Sequence, residues 1–254
     1  MADIPRAPGG LEPLTVARVL RGATIAGCVA IALAACMPAC GSEAGFEDLM
    51  NLQVCAPERG GFSTEVDNPF FPLPVGHRLV LEGEQSGADV LVRITVLDEI
   101  ETVAGVDTRV VEEYEATDGR VAEVSRNFFA QADDGTVCYF GEDVDVFDEE
   151  GQVTSHPGAW RADGEELLPG IFMPADPQPG QAFQQEVAPG IAEDQSKVVS
   201  LGDVAETPAG TFEETVTLLD RNPLDGSEDT KIYALGIGLI VDETARLTEY
   251  PAPG

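Results

Sequence analysis

Period-two alternation dominates this chain from residue 78 onward, and it constrains the fold more than any other feature. The segments 78–83 (RLVLEG), 88–100 (ADVLVRITVLDEI), 108–116 (TRVVEEYEA), 120–132 (RVAEVSRNFFAQA), 136–142 (TVCYFGE) and 143–147 (DVDVF) are rich in Val, Ile, Tyr and Phe, with period two as their dominant pattern. The pattern resumes at 181–188, 196–202, 212–221, 231–241 and 245–250. Successive side chains of a strand point to opposite faces, so this alternation marks strands with one face buried. Asp118-Gly119 and Asp134-Gly135 read as hairpin turns, because glycine takes positive φ without steric cost. Strands joined this way run antiparallel. The chain is therefore predicted to be all-β, an antiparallel meander of about 11–12 strands. Many of these strands approach ten residues, against the usual five or six or so, which favours a strongly curved sheet or barrel.

With 254 residues and 43% hydrophobic side chains, the chain can fill one sizeable core. Its charge is far from balanced: 46 acidic against 14 basic side chains give a formal net of −32, spread along the chain. Nucleic-acid binding depends on Lys and Arg releasing counterions from phosphates, and the only lysines are Lys197 and Lys231. That class ranks well below the others. The acidity reads first as solubility and second as affinity for a cationic partner.

The N-terminus has the layout of a secretory signal peptide. Arg6, Arg18 and Arg21 precede an uncharged run from Gly22 to Ala35 that ends in small residues. A retained anchor is the rival, since no charge occurs between Arg21 and Glu43, but Pro38 and Gly41 weaken it. Leu33-Ala34-Ala35-Cys36 resembles the lipobox of bacterial lipoproteins. That resemblance implies cleavage before Cys36 and a lipid on its sulfur; Cys40 is the second choice. In Gram-negative lipoproteins the residue after the acylated Cys sorts the protein, and Met37 in place of Asp implies the outer membrane. The expected organisation is a signal peptide over 1–35, a lipid-anchored tether over 36–67 and a β domain over 68–254. Asn-Pro-Phe-Phe-Pro-Leu-Pro-Val-Gly at 68–76 marks the domain start, its aromatics suited to plugging one end of a core.

Export leaves Cys40, Cys55 and Cys138 as thiols, and an oxidising compartment favours one disulfide. Cys40 with Cys55 closes a short local loop and is the preferred pair. Cys55 with Cys138 is the alternative; Cys138 otherwise reads as a buried small hydrophobe in the strand TVCYF.

Residues 156–180 interrupt the strand pattern with five prolines and the only tryptophan. The segment is expected to cap the core as a long loop, with His156 and Trp160 beside a ligand pocket beneath it. No serine after the signal stands in Gly-x-Ser-x-Gly, no His-Glu-x-x-His or phosphate loop occurs, and His77 and His156 are the only histidines. Glu142, Glu186, Glu193 and Asp194 abut apolar strand residues, where they are the candidates for a hard cation. No organic cofactor is expected.

Three stretches resemble a family of uncharacterised bacterial secreted or lipid-anchored β-rich proteins: NPFFPLPVG at 68–76, CYFGED at 138–143 and PGIFMPADPQPGQAFQQEVAPGIAED at 169–194. The likeness spans roughly 68–250 and marks Phe140, Glu142, Met173, Gln185, Glu186, Glu193 and Asp194 as motif positions. Phe140, Met173 and Gln185 thereby join His156 and Trp160 as pocket candidates. Relatives more often place Trp where this chain has Cys138, which argues against a disulfide there. The reading that follows is a monomeric, lipid-anchored envelope protein whose barrel-like domain binds a small ligand or an envelope protein. The alternative is an envelope hydrolase or metal-binding protein using clustered carboxylates.

Overall fold

Tight turns with left-handed backbone set the strand connections. Ser86-Gly87, Ala104-Gly105 and Asp118-Gly119 each place both central residues at positive φ (55° and 86°, 50° and 78°, 49° and 74°), the pair whose twist matches that of the flanking strands. The computed structural model describes residues 45–251. Its strands in chain order are β1 (Phe62–Ser63), β2 (Arg78–Gln85), β3 (Ala88–Val103), β4 (Val106–Thr117), β5 (Arg120–Ala132), β6 (Val137–Phe147), β7 (Val153–Ser155), β8 (Trp160–Arg161) and β9 (Leu168–Met173). After them come β10 (Ala182–Gln184), β11 (Glu186–Val187), β12 (Gln195–Leu201), β13 (Ala205–Thr207), β14 (Gly210–Phe212), β15 (Thr215–Arg221), β16 (Glu228–Ala234), β17 (Gly238–Asp242) and β18 (Ala245–Glu249).

The protein is all-β, and 13 of these strands form one antiparallel path in the order β10-β12-β15-β16-β17-β18-β2-β3-β4-β5-β6-β9-β11. The two ends of the path are consecutive in sequence. Residues 182–184 pair with β12 and residues 186–187 with β9, so the strand stretch split at Gln185 nearly closes the sheet into a barrel. Both Gln185 N–H and Glu186 N–H donate to the Asp194 carbonyl, at 2.8 and 3.2 Å. The crossing is possible because β9 offers Gly170 there: a Cβ on it would lie 2.0 Å from the Gln185 carbonyl oxygen. Closure removes the exposed edges that an open sheet would present.

One mouth of the barrel is plugged by the proline-rich stretch, as its aromatics suggested. Asn68 Nδ2 donates to the Gly135 and Pro174 carbonyls, and its Oδ1 accepts from the Phe70 and Phe71 amides. Phe71 so placed meets Phe129 and Phe172 at ring-centroid distances of 5.1 and 4.5 Å. Tyr139, Trp160 and Tyr233 complete this aromatic filling, edge to face or stacked.

Three expectations need correction. The described part of the supposed tether belongs to the domain: Leu49 bridges to Ala182, 3₁₀ turns follow at Leu52–Cys55 and Pro57–Arg59, and β1 pairs with β5. The cause is the outward face of β5 and β6, where Phe128, Cys138 and Phe140 need a cover; Phe62 supplies one, edge-on to Phe140 at 5.5 Å. Segment 156–180 is not a structureless cap, since Trp160–Arg161 and Leu168–Met173 both add to β6. Finally, Cys55 bonds Cys138 and not Cys40, because the covering segment carries Cys55 directly over β6 with a Cα–Cα distance of 5.5 Å. The signal peptide over 1–35, Cys36 and Cys40 lie outside the described residues.

Candidate functional site

Alternation builds a barrel interior with two different halves. Inward positions are apolar near the plugged mouth and turn polar toward the mouth that holds the 85–88, 117–120, 221–228 and 242–245 turns. Along β4 the inward series runs Val111, Glu113, Glu115; along β5 it runs Phe129, Asn127, Ser125, Glu123. On β15 it runs Val216, Leu218, Asp220, and on β16 Tyr233, Lys231, Asp229. All of these side chains are buried.

Lys231 is the centre of the charged half, only 1% exposed although it is one of the chain's two lysines. Its Nζ lies 3.1 Å from Asp220 Oδ2, an ionic contact, and the Ser196 hydroxyl donates to Asp220 Oδ1. Asp242 on β17 stands directly across from Lys231 in the sheet register, and Asp229 lies two residues away on the same face. Glu113 approaches from β4 on the far wall, close enough to feel both Asp242 and Lys231.

The electrostatics follow from one cation among several acids. Burial opposes charge on Lys231, but Asp220, Asp242 and Asp229 outweigh it and hold the ammonium well above its usual range. Burial also pushes the Glu113 carboxyl from 4.5 up to about 8, with the Asp242 charge adding to the rise and Lys231 opposing it. Asp229 rises to about 7 through burial, opposed by Lys231 and reinforced by Asp220 and Glu243. Burial raises Asp242 well above the carboxylate range as well, against the pull of Lys231. At neutral pH the cluster therefore retains protons that free carboxylates would lose.

A pH dependence of stability follows. Glu113 and Asp229 bind protons more tightly folded than unfolded, so between their ordinary values near 4 and their folded values of about 8 and 7 the native state holds the extra protons. Stability from these groups is complete below that window and is lost as pH rises through it, by roughly 1.4 kcal/mol per pH unit for each group. Urea unfolding between pH 5.5 and 8, where surface carboxylates are already ionised, is expected to show stability falling with pH. Glu113→Gln is expected to lessen that slope and to be more stable than the parent at pH 8.

Of the residues nominated from sequence, Glu186 and Asp194 lie side by side, the Glu186 N–H donating to the Asp194 carbonyl at 3.2 Å. Glu142, Glu186 and Asp194 are buried, Glu193 is half-buried and accepts the Gly190 amide at 2.7 Å, and among the described residues no three His, Cys, Asp or Glu side chains are grouped to hold a metal ion. Trp160, Met173 and Gln185 are buried, whereas Phe140 lies under Phe62 on the outer face of β6. His156 is exposed, its Nδ1 2.7 Å from the Val144 carbonyl and 3.0 Å from Asp145 Oδ1. A surface groove of about 490 Å³ does border the 156–180 segment, but its walls are Leu52, Gln53, Pro57, Ala104, Asp163 and Leu168 among others, and none of the five nominated residues.

Lys231, Asp220, Asp242 and Glu113 went unnominated. Their signal lay in the strand patterns: Lys231 shares the inward parity of Tyr233, Asp220 that of Leu218, and Glu113 that of Val111.

Fold and site together define an antiparallel, nearly closed β-barrel whose interior is aromatic at one end and charged at the other. The chain matches no protein-family model, no curated protein and no solved structure.

Proposed function

We propose that this chain is an exported protein, held to the cell envelope by a lipid on Cys36, whose barrel is a binding module for a small ligand at its charged end. The observation that carries the binding reading is the Lys231–Asp220–Asp242–Glu113 cluster. Burying ionised groups carries a desolvation cost that well-packed apolar residues of similar volume would avoid, so such a cluster in an otherwise aromatic barrel suits recognition better than stability. The Cys55–Cys138 disulfide supports export, since such bonds persist in oxidising compartments. Anchoring follows from the Leu-Ala-Ala-Cys resemblance, with acyl chains contributing about 0.8 kcal/mol per buried methylene.

Two measurements test the reading. Mass spectrometry of the protein isolated from the envelope is expected to find an acylated Cys36 as the first residue, and Cys36→Ser is expected to release the protein from the membrane; an unmodified Cys36 in the exported form contradicts the anchor. Native mass spectrometry of the same protein is expected to show a non-covalent ligand that Asp242→Asn loses, and a bare mass contradicts the binding role.

A further inference from the structure

The charged end presents more acceptors than its own donors satisfy. The Ser196 hydroxyl donates to Asp220 Oδ1, and Lys231 Nζ meets Asp220 Oδ2 as an ionic contact at 3.1 Å and not as a hydrogen bond. Glu113 Oε2, Asp229 Oδ1 and Asp242 Oδ2 are buried without a hydrogen-bond donor, a condition that calls for a specific cause in a native protein. A second observation is independent of the acids. The Tyr233 hydroxyl is fully buried, lies in the field of Lys231, Asp220 and Asp242, and has no hydrogen-bond partner. Tyr233 follows Lys231 by two positions on the inward face of β16, so its hydroxyl shares the carboxylates' space.

We propose that this end of the barrel is a receptor for a primary ammonium group, carried by a small organic amine that enters as the second cation of the cluster. The inference rests on the barrel being a binding module and adds the chemistry of its ligand. An ammonium fits in charge and in donor count: three N–H bonds match the acceptors of Glu113, Asp229 and Asp242, and the Tyr233 oxygen can accept as well. The rim favours cations too. Exposed Glu84, Asp118, Asp225 and Glu228 and half-buried Glu243 surround this mouth and outnumber Arg120 and Arg221, and such a field raises the association rate of a positive ligand.

Binding is coupled to proton release. Glu113 faces Glu115 on its own strand, Glu123 on β5, Asp242 on β17 and Lys231 on β16, and burial, reinforced by the Asp242 charge and only partly opposed by Lys231, keeps its proton on at neutral pH. An arriving ammonium supplies positive charge and displaces the proton to solvent. The entering cation and the departing proton balance.

Calorimetric titration of the purified full chain near pH 7 tests this directly, with 1-aminobutane, 1,4-diaminobutane and tetramethylammonium as probes, in two buffers of different ionisation enthalpy. The expected result is saturable binding of both amines with net proton release. Tetramethylammonium, which has no N–H, is expected to bind at least about tenfold more weakly, as is either amine to Asp242→Asn, the scale of one lost charged hydrogen bond. Tyr233→Phe, which keeps the ring packing, is expected to weaken the amines several-fold. Equal binding of tetramethylammonium, or no binding of the amines to the folded protein, overturns the ammonium assignment. If the envelope-isolated protein nevertheless carries a neutral or anionic molecule in native mass spectrometry, the binding-module reading stands alone; a bare mass together with no amine binding removes both.

Discussion

Replacing Lys231 by methionine is expected to destabilise the barrel by about 3–5 kcal/mol, the cost of leaving a buried carboxylate without its partner. Asp220, 2% exposed, keeps only the Ser196 hydroxyl once the ammonium at 3.1 Å is gone. Asp242 and Asp229 lose the same opposing charge and, where ionised, repel Asp220 more strongly in a medium of low polarity. The remedy available to the protein is protonation, so the loss is expected to be larger at pH 8 than at pH 5.5. Urea unfolding followed by Trp160, the single tryptophan and buried against Tyr139, measures it. Pairing the change with Asp220→Asn is expected to restore part of the stability, because the double variant removes both charges and the single variant strands one. A Lys231→Met effect below about 1 kcal/mol at pH 8, within the range of an exposed pair, would place the ammonium in water rather than in the interior.

Loss of the disulfide is the second large effect. Cys55 and Cys138 close a loop spanning 83 residues, for which the chain-entropy account gives about 4–5 kcal/mol. The bond also fixes the covering segment: residues 52–63 sit on β5, β6 and β9 through the 3₁₀ turns, the Phe62–Phe140 contact and β1. The paired change Cys55→Ala with Cys138→Ala is expected to lower the urea midpoint strongly and to open 49–66 to proteolysis before the barrel itself unfolds. Peptide mapping of the oxidised protein checks the pairing; a Cys40–Cys55 peptide in its place contradicts it.

Much of the architecture was legible because period two is a local signal. The Asp118-Gly119 and Asp134-Gly135 turns, the antiparallel meander and the plug at 68–76 all rest on contacts close in sequence or on residue types with one conformational use. What was not legible depends on distant contacts. That Cys55 lies over β6 follows from the outward face of Phe128, Cys138 and Phe140 needing a cover, and no spacing between cysteines encodes it. Of the strands within 156–180, Trp160–Arg161 is too short to show alternation and Leu168–Met173 is buried on both faces, so it does not alternate; β8 exists only because Gly141 lets Trp160 approach, as a Cβ on Gly141 would stand 2.3 Å from the Trp160 carbonyl oxygen.

The charged half was hidden for a different reason. In a chain with 46 acids, a Glu or Asp at an inward position looks like the many at outward ones. Glu112, Glu113 and Glu115 show the difficulty, since β4 turns Glu113 and Glu115 inward while Glu112 is half-buried on the other face. Lys231 carried the stronger hint, as a rare cation at a position in phase with Tyr233. Curvature of the contiguous run β17-β18-β2-β3-β4 brings Glu113 on β4 within reach of Asp242 on β17, a contact that no local pattern encodes.

One end of the barrel interior is thus a buried, proton-holding acid cluster around a single ammonium. Carbon-13 NMR of the Glu113 side-chain carboxyl, assigned by comparison with Glu113→Gln and followed from pH 5 to 9, tests it most directly. The account predicts a carboxyl still protonated at pH 7 that ionises near pH 8. A carboxyl already ionised at pH 5.5 would contradict it.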